Sequence, residues 1–314
     1  MLKFTLKRLA GLLVTLFAAS FAIYSSVYLS PGSPESVIFG SRAPTQEVRA
    51  AVRHHLGLDQ PFLTRYARWL GEVLQGDLGT SIVSQQKVTS LLAHPVAVTA
   101  TLVAYAALLI VVAGVGLGLL SALRPGPVDA LINVGVSVAT AIPAFVAAGV
   151  TVSIFAVTLG WFPSFGLAEG VGGWLRSLTL PAVSLAIVAS GLLARVTRAG
   201  AREVLASDHV QTAVARGLSG PRLIRGHVLR NTAGPVISVT GLQIAGLLAG
   251  SVVVEQAFGL GGLGQVLLNA VQQKDFAVVQ ATCLLLVAAF VLINFAADLL
   301  VAALDPRLRR AVVA

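Results

Sequence analysis

The residues of this 314-residue chain with the strongest potential for metal or nucleophilic chemistry are five histidines, His54, His55, His94, His209 and His227, and one cysteine, Cys283. No histidine forms H-E-x-x-H or joins a Cys/His cluster, so the spacing offers no metal site. One cysteine inside an apolar run allows no intrachain disulfide. No G-x-x-x-x-G-K-[ST] occurs, so the chain does not hydrolyse ATP through a P-loop. Gly259-Leu260-Gly261-Gly262-Leu263-Gly264 fits G-x-G-x-x-G. A dinucleotide site, however, needs a preceding strand, a βαβ unit and an acid about 20 residues on. An apolar helical run precedes this one, so it reads as a flexible turn leading into a helix over Leu263–Gln272. No nucleophile, base and metal set is clustered as a membrane enzyme would need.

What remains is a polar island, RVTRAGAREVLASDHVQTAVARGLSGPRLIRGHVLRN, from Arg195 to Asn231. It carries seven arginines, Arg195, Arg198, Arg202, Arg216, Arg222, Arg225 and Arg230, against Glu203 and Asp208. Ser207 or Asp208 can cap a helix running through Gln211, Thr212, Ala213, Ala215 and Arg216. Gly217 follows where a left-handed cap is needed. After a turn through Leu218, Pro221 suits the first turn of a second helix, Arg222–Arg230. A helix of about ten residues is marginal alone in water. Docking of its small face, Ala213 and Ala215 with Leu218 beyond, into a groove would stabilise it. A solvated basic loop is the competing reading.

The elements around this island are membrane spans. The chain is 56% hydrophobic and 11% charged, with mean hydropathy +0.87, whereas soluble domains average about 25% charged. A span needs about 20 mostly apolar residues. Six runs qualify, at Leu9–Leu29, Val96–Leu123, Ala130–Phe162, Leu178–Ala194, Val236–Val254 and Val278–Leu304, so both termini share a side. With the termini inside, the inner segments hold fourteen basic and five acidic residues, and the outer segments eight of each. The whole formal excess of +9 then falls on one face, the positive-inside pattern. Topology and the lipid bilayer account for the basicity, and nucleic acid is not needed. The start, MLKFTLKRLAGLLVTLF, resembles a signal peptide, but its apolar run is long and reads as a retained first helix.

Between the first two spans, Thr45 can cap a helix that ends before Gly57, and Asp59 a second with Phe62, Tyr66, Trp69 and Val73 on one face and Gly76 after it. Their apolar faces should pack on the bundle. Gly114/Gly118 and Gly246/Gly250 are spaced for close helix contact. Pro143 and Pro181 should kink their spans. Asn133, Gln243 and Asn294 are the main polar side chains within the spans. Interhelical hydrogen bonding is their default role, with pathway lining the second. No span centre carries a clear ionisable group, which argues against a proton- or sodium-driven carrier, though an ion-coupled carrier or channel acting without ATPases is the runner-up from a different class.

The segment QTAVARGLSGPRLIRGHVLRN resembles the cytoplasmic EAA loop of bacterial ABC importer permeases. There an alanine-rich helix ends in glycine, here Gly217, and a segment like His227-Val228-Leu229-Arg230-Asn231 follows. The N-terminal basic helix ending in SPGSP, the stretches LGLDQPFLTRYARWLGEVLQGDLGTS, LGWFPSFG and EQAFGLGGLGQVLLNAVQQKDFAVVQA, and the terminal LDPRLR are similar to the B-type permease of dipeptide and oligopeptide importers. The match runs in order over nearly the whole chain. It departs at Gln211-Thr212-Ala213, where the loop usually opens Glu-Ala-Ala, and at Ser33, where an acid is common.

The resemblance implies an all-α polytopic membrane protein with six transmembrane helices, like a type I ABC importer permease. It divides into a first helix (1–30), a helical extracytoplasmic segment (31–95), a five-helix core (96–304) with a coupling loop (195–231), and a cytoplasmic tail (305–314). It also implies a bacterial inner-membrane importer of short peptides, with nickel chelates or glutathione as alternative cargo, and no catalysis by this chain. A second, homologous permease subunit, two ATPase subunits carrying ATP and Mg, and an extracytoplasmic substrate-binding protein would complete it. No cofactor is expected on this chain. The coupling contacts would come from Asp208, Gln211, Thr212, Ala213, Ala215, Arg216, Gly217, Leu218, His227, Arg230 and Asn231.

Overall fold

The computed structural model describes residues 2–29, 45–47, 59–218 and 220–304. In chain order the elements are α1 (Leu2–Leu29), α2 (Phe62–Leu74), α3 (Val88–Leu123), α4 (Pro127–Ala141), and α5 (Ala144–Thr151), prolonged by a π-helical turn, Val152–Thr158. Then come α6 (Gly170–Leu205), α7 (Asp208–Ala215), and α8 (Gly220–Leu223), which runs through a second π-helical turn, Ile224–Val228, into α9 (Leu229–Phe258). The last two are α10 (Leu263–Gln272) and α11 (Phe276–Leu304). The expected helix after Thr45, the SPGSP stop and the terminal LDPRLR lie outside the described residues.

Five stretches are long and apolar enough to cross a bilayer: Thr5–Ser26, Val88–Leu123, Gly170–Leu205, Gly220–Phe258 and Phe276–Ala303. The sixth differs from the single span expected over Ala130–Phe162. It is the pair α4 and α5, bent by 105°. Proline explains the break. Ile142, pushed out of the helical region by the ring that follows, is extended (φ −83°, ψ 125°), and Pro143 opens α5. Pro181, also expected to kink its span, sits buried inside an unbroken α6.

Several helices outrun the apolar runs that signalled them. The 36 residues of α6 measure roughly 54 Å at 1.5 Å per residue, against about 30 Å of hydrocarbon. Its last turns, through Arg195, Arg198 and Arg202, are helix and not loop. Likewise α8 and α9 form one rod from Gly220, with Pro221 in the first turn as expected and no stop at Arg230.

The core is α3 against α6, closed by α9. Val98, Leu102, Ala106 and Ile110 of α3 meet Leu178, Leu185 and Leu193 of α6 and Leu247, Val254 and Phe258 of α9. Gly114 and Gly118 permit this approach. A Cβ on Gly114 would lie 2.8 Å from the Leu193 Cβ, and one on Gly118 2.6 Å from the Ala194 carbonyl oxygen. The second pair does not do the same: Gly246 has no such neighbour within 4 Å. Instead Gly241 lets α9 approach Ala297 of α11.

Peripheral α1 packs on α11 and α2. Phe17, Phe21 and Tyr24 of α1 interlock with Phe62, Tyr66 and Trp69 of α2, at ring-centroid distances of 5.2–6.1 Å. Tyr66 also hydrogen-bonds Ser20 at 2.8 Å. The apolar face of α2 thus packs inward as its spacing suggested, against α1 at the edge of the bundle. Its N-cap is Pro61 and not Asp59, while Gly76 follows its C-cap with φ +84°.

Candidate functional site

The α7 segment is a self-supporting knuckle. Ser207 occupies the N-cap with extended backbone, but its hydroxyl donates back to the Val204 carbonyl and makes no capping bond. The other end is more tightly specified. Gly217 N–H donates to Val214 O at 2.9 Å and Leu218 N–H to Ala213 O at 3.1 Å, with Gly217 at φ +79°. These are the two bonds of a Schellman cap, which needs a residue free to adopt the left-handed region.

Burial divides α7 into two faces. Val210 and Ala213 are 2% and 8% exposed and pack on Leu223, with Val204 and Leu205 alongside. Ala213 therefore supports the knuckle from within, contrary to the docking face expected for it. Exposed around it are Gln211, Val214, Ala215 and Leu218. Val214 is 54% and Leu218 38% exposed. Asp208, Thr212, Arg216 and Gly217 are also exposed. His227 comes beside His209, ring centroids 6.1 Å apart. Arg230 and Asn231 are exposed, and Asn231 Nδ2 bonds the His227 carbonyl at 2.8 Å. Arg216, Arg222, Arg225 and Arg230 remain on the surface around the knuckle.

The three polar span residues are not brought together. Asn133 donates to Asp129 Oδ1 at 2.8 Å, Gln243 ties α9 to the Ala189 carbonyl of α6 at 2.8 Å, and Asn294 donates to Phe290 O at 2.9 Å. Gln243 thus bridges two helices, the default role, whereas Asn294 bonds within its own helix and Asn133 does so apart from a 3.4 Å bond to Ser121 of α3. Asn294 also lines a cavity of about 520 Å³ between α1 and α11, with Lys7, Arg8 and Asp298. Among the described residues no group of three or more His, Cys, Asp or Glu could hold a metal ion.

Two polar clusters were missed. At the end of the bundle that carries α7, Asp129 binds Arg198 and Arg202. At the opposite end Glu255 is fully buried near the end of α9. Thr99 of α3 donates to its Oε1 at 2.7 Å, and the Gly264 N–H donates to its Oε2 at 2.7 Å. The Leu263 N–H in turn donates to Thr99 Oγ1 at 2.8 Å. The carboxylate thereby serves the N-terminus of α10, where amide donors and the helix dipole favour it. The glycine-rich turn is consequently fixed in place and not a flexible connector. A Cβ at Gly262 would lie 2.5 Å from Glu255 Oε2, and Gly259 lies against the Phe165 ring. Gly166 N–H closes the same patch on Phe258 O at 2.8 Å. An acid therefore sits just past Val254, where the apolar run was expected to end, inside a helix that continues to Phe258. The only local signal was that Glu255 falls inside the helical run before Gly259.

A chain with five crossing helices, a bent sixth and a capped knuckle between two of them has the build of a transporter membrane subunit. Residues 114–310 match the family described as binding-protein-dependent transport system inner membrane component, and residues 1–103 its N-terminal companion. The chain belongs to this family of ABC importer permeases. It is similar to the glutathione transport system permease protein GsiC of Salmonella paratyphi A, 36% identical over 310 residues that cover 98% of this chain and 99% of that protein. GsiC of Salmonella typhi is 37% identical over 313 residues with the same coverage, and that of Escherichia coli 35% over 310. An inward-facing structure of the MetNI methionine ABC transporter shares the fold, with TM-score 0.58 and 22% identity over 69% of this chain and 97% of that one. The chain is thus a multi-pass inner-membrane permease subunit of an ABC importer, not its ATPase, with the type I permease fold.

Proposed function

We propose that this chain forms half of the translocation pathway of an importer of short peptides and that α7 is its coupling helix. The remaining half would come from a second, homologous permease. Two ATPase subunits would hold ATP and Mg on the inner side, and an extracytoplasmic binding protein would deliver cargo. The observation that carries the coupling role is the division of α7. Val210 and Ala213 anchor it on its own chain, while Val214, flanking that buried face, and Leu218 beyond the cap leave apolar side chains exposed. The arginines around it and the one-sided charge favour the cytoplasmic side for this face and for both termini. Closure of the ATPases on ATP would displace the knuckle, and the bundle would switch as a rigid body. Within the coupling loop, 195–231, we assign the contact to Gln211, Val214, Ala215, Gly217 and Leu218, with Asp208, Thr212, Arg216, His227, Arg230 and Asn231 around it. Ala213 acts from behind. Gln243 and Asn133 are assigned to holding helices together, and Asn294 to a bond within its own helix.

Gly217→Arg tests this reading. The backbone there disfavours any side chain, and a bulky one would also stand on the exposed face. Uptake and substrate-stimulated ATPase activity should both collapse while the protein still inserts in the membrane. Undiminished uptake would sink the coupling role. For cargo, the relatives named for glutathione, itself a tripeptide, favour that ligand within the peptide class. Competition of unlabelled glutathione, a dipeptide and a nickel chelate against labelled glutathione in cells ranks the three. Competition by the nickel chelate alone would overturn the peptide reading. Glu255, held at the end of α9 by Thr99 and Gly264, has a structural use, and family membership sets an ion-coupled carrier aside.

A further inference from the structure

The densest polar contact set among the described residues lies where α4 begins and α6 ends. Asp129 accepts Arg198 Nε at 2.6 Å and Arg198 Nη2 at 2.8 Å, a bidentate fork, and Arg202 Nη2 at 2.7 Å. Ser121 near the end of α3 donates to the same carboxylate, and Asn133, one turn along α4, donates at 2.8 Å. Farther up, Arg195 Nη2 of α6 reaches Ser137 Oγ of α4 at 3.1 Å. One carboxylate therefore ties three helices, and α4 lies antiparallel to α6 along a row of polar bonds.

Much of the apolar surface of α4 faces outward, and its close packing on α6 is confined to Val136 and Thr140 against Gly191. Leu131, Val134 and Val138 are 74%, 61% and 56% exposed, and Val136 is the one buried residue of that helix. Asp129 and Arg198 are by contrast largely covered, with side chains 14% and 27% exposed. A planar fork is directional, so it resists sliding of one helix along the other as a single point contact would not. Only Ala206 and Ser207 separate α6 from α7, so displacement of α7 acts directly on the turns that carry Arg198 and Arg202.

We infer that Asp129 is a positioning residue that makes α4 travel with the end of α6, so that movement delivered at α7 reaches the 105° bend between α4 and α5. This rests on the reading of α7 as the coupling helix. Three of the seven island arginines thereby acquire a structural use that the charge count had assigned to membrane orientation alone.

Spin labels at Leu131→Cys on α4 and Glu203→Cys on α6, in a Cys283→Ala background, report the separation of the two helices. The full complex is measured nucleotide-free and trapped with ATP and vanadate. With Asp129 present, the distance distribution stays the same in both states. In Asp129→Asn it shifts on trapping, and Asp129→Glu restores a constant distance. A purely static packing role would alter both states of Asp129→Asn alike, and that outcome overturns the inference. So does a shift on trapping with Asp129 intact. If Asp129→Asn fails to assemble, Arg202→Gln, which leaves the Arg198 fork in place, decides in the same way: a shift on trapping supports the inference, and an unchanged distribution overturns it. The coupling reading is checked separately by Val214→Asp. Loss of the ATPase subunits upholds that reading whatever Asp129 does, and their full retention removes it together with the inference.

Discussion

Asp129 and Glu255 each fasten a helix at one end of the bundle, with different chemistry. Glu255 is 0% exposed and accepts from a threonine hydroxyl and a glycine amide. Room for it is made by Gly262 and Gly264, whose missing side chains let the backbone close on the carboxylate. Asp129 is partly open to solvent and is held by two guanidinium groups. The α10 end depends on shape, because a buried carboxylate without its donors has no solvent to fall back on. The α7 end depends on charge and direction, next to a knuckle whose exposed face is left for another protein. Sealed packing suits a part that keeps its geometry, and partly exposed ion pairs suit one that is moved.

The largest expected effect is at the sealed end. Glu255→Ala leaves Thr99 and the first amides of α10 without their acceptor, and should cost about 3 kcal/mol. The measurement is thermal unfolding of the purified protein in detergent. A loss no greater than that of Asp129→Ala would break the contrast.

A sharper version compares two glycines. Gly262 has ordinary φ (−82°) but no space, whereas Gly217 has space but φ +79°. Asparagine tolerates the left-handed region. Gly217→Asn should therefore cost only a few tenths of a kcal/mol, while Gly262→Asn should cost about 2 kcal/mol from overpacking. Gly217→Val should be the worse of the two Gly217 variants, by about 1 kcal/mol. Equal costs for the two asparagine variants would show that the same constraint acts at both ends.

These contrasts bear on what a sequence can disclose. The stop at Gly217, the bounds of α10 and the aromatic face of α2 were legible because each is local: a cap, a glycine run, a helical spacing. The length of α6 was not. An apolar window ends at Arg195, whereas the helix continues because Arg198 and Arg202 find Asp129, 69 and 73 residues earlier. Glu255 was counted among the solvent-facing acids because its partner Thr99 lies 156 residues away. Val214 was overlooked and Ala213 misassigned because spacing names a face of a helix but not which face its own chain covers. Long-range partners decided each of these cases, and they leave no mark on local pattern.

The smallest predicted effect concerns salt. A double-mutant cycle of Asp129→Asn with Arg202→Gln should give a small coupling that shrinks as salt rises, since solvent reaches the pair. The cycle of Thr99→Val with Glu255→Gln should not respond. Equal salt dependence in the two cycles would contradict the assignment of charge to one end and shape to the other.

The central claim, that the exposed face of α7 meets an ATPase, is tested most directly by photocrosslinking in the assembled complex. Benzophenone–maleimide is attached at Val214→Cys, Leu218→Cys or, as an exposed control on α4, Leu131→Cys, each in a Cys283→Ala background. Adducts joining this chain to an ATPase subunit from positions 214 and 218, and none from 131, are the predicted result. No ATPase adduct from either α7 position, in a complex that retains its ATPases, would contradict it.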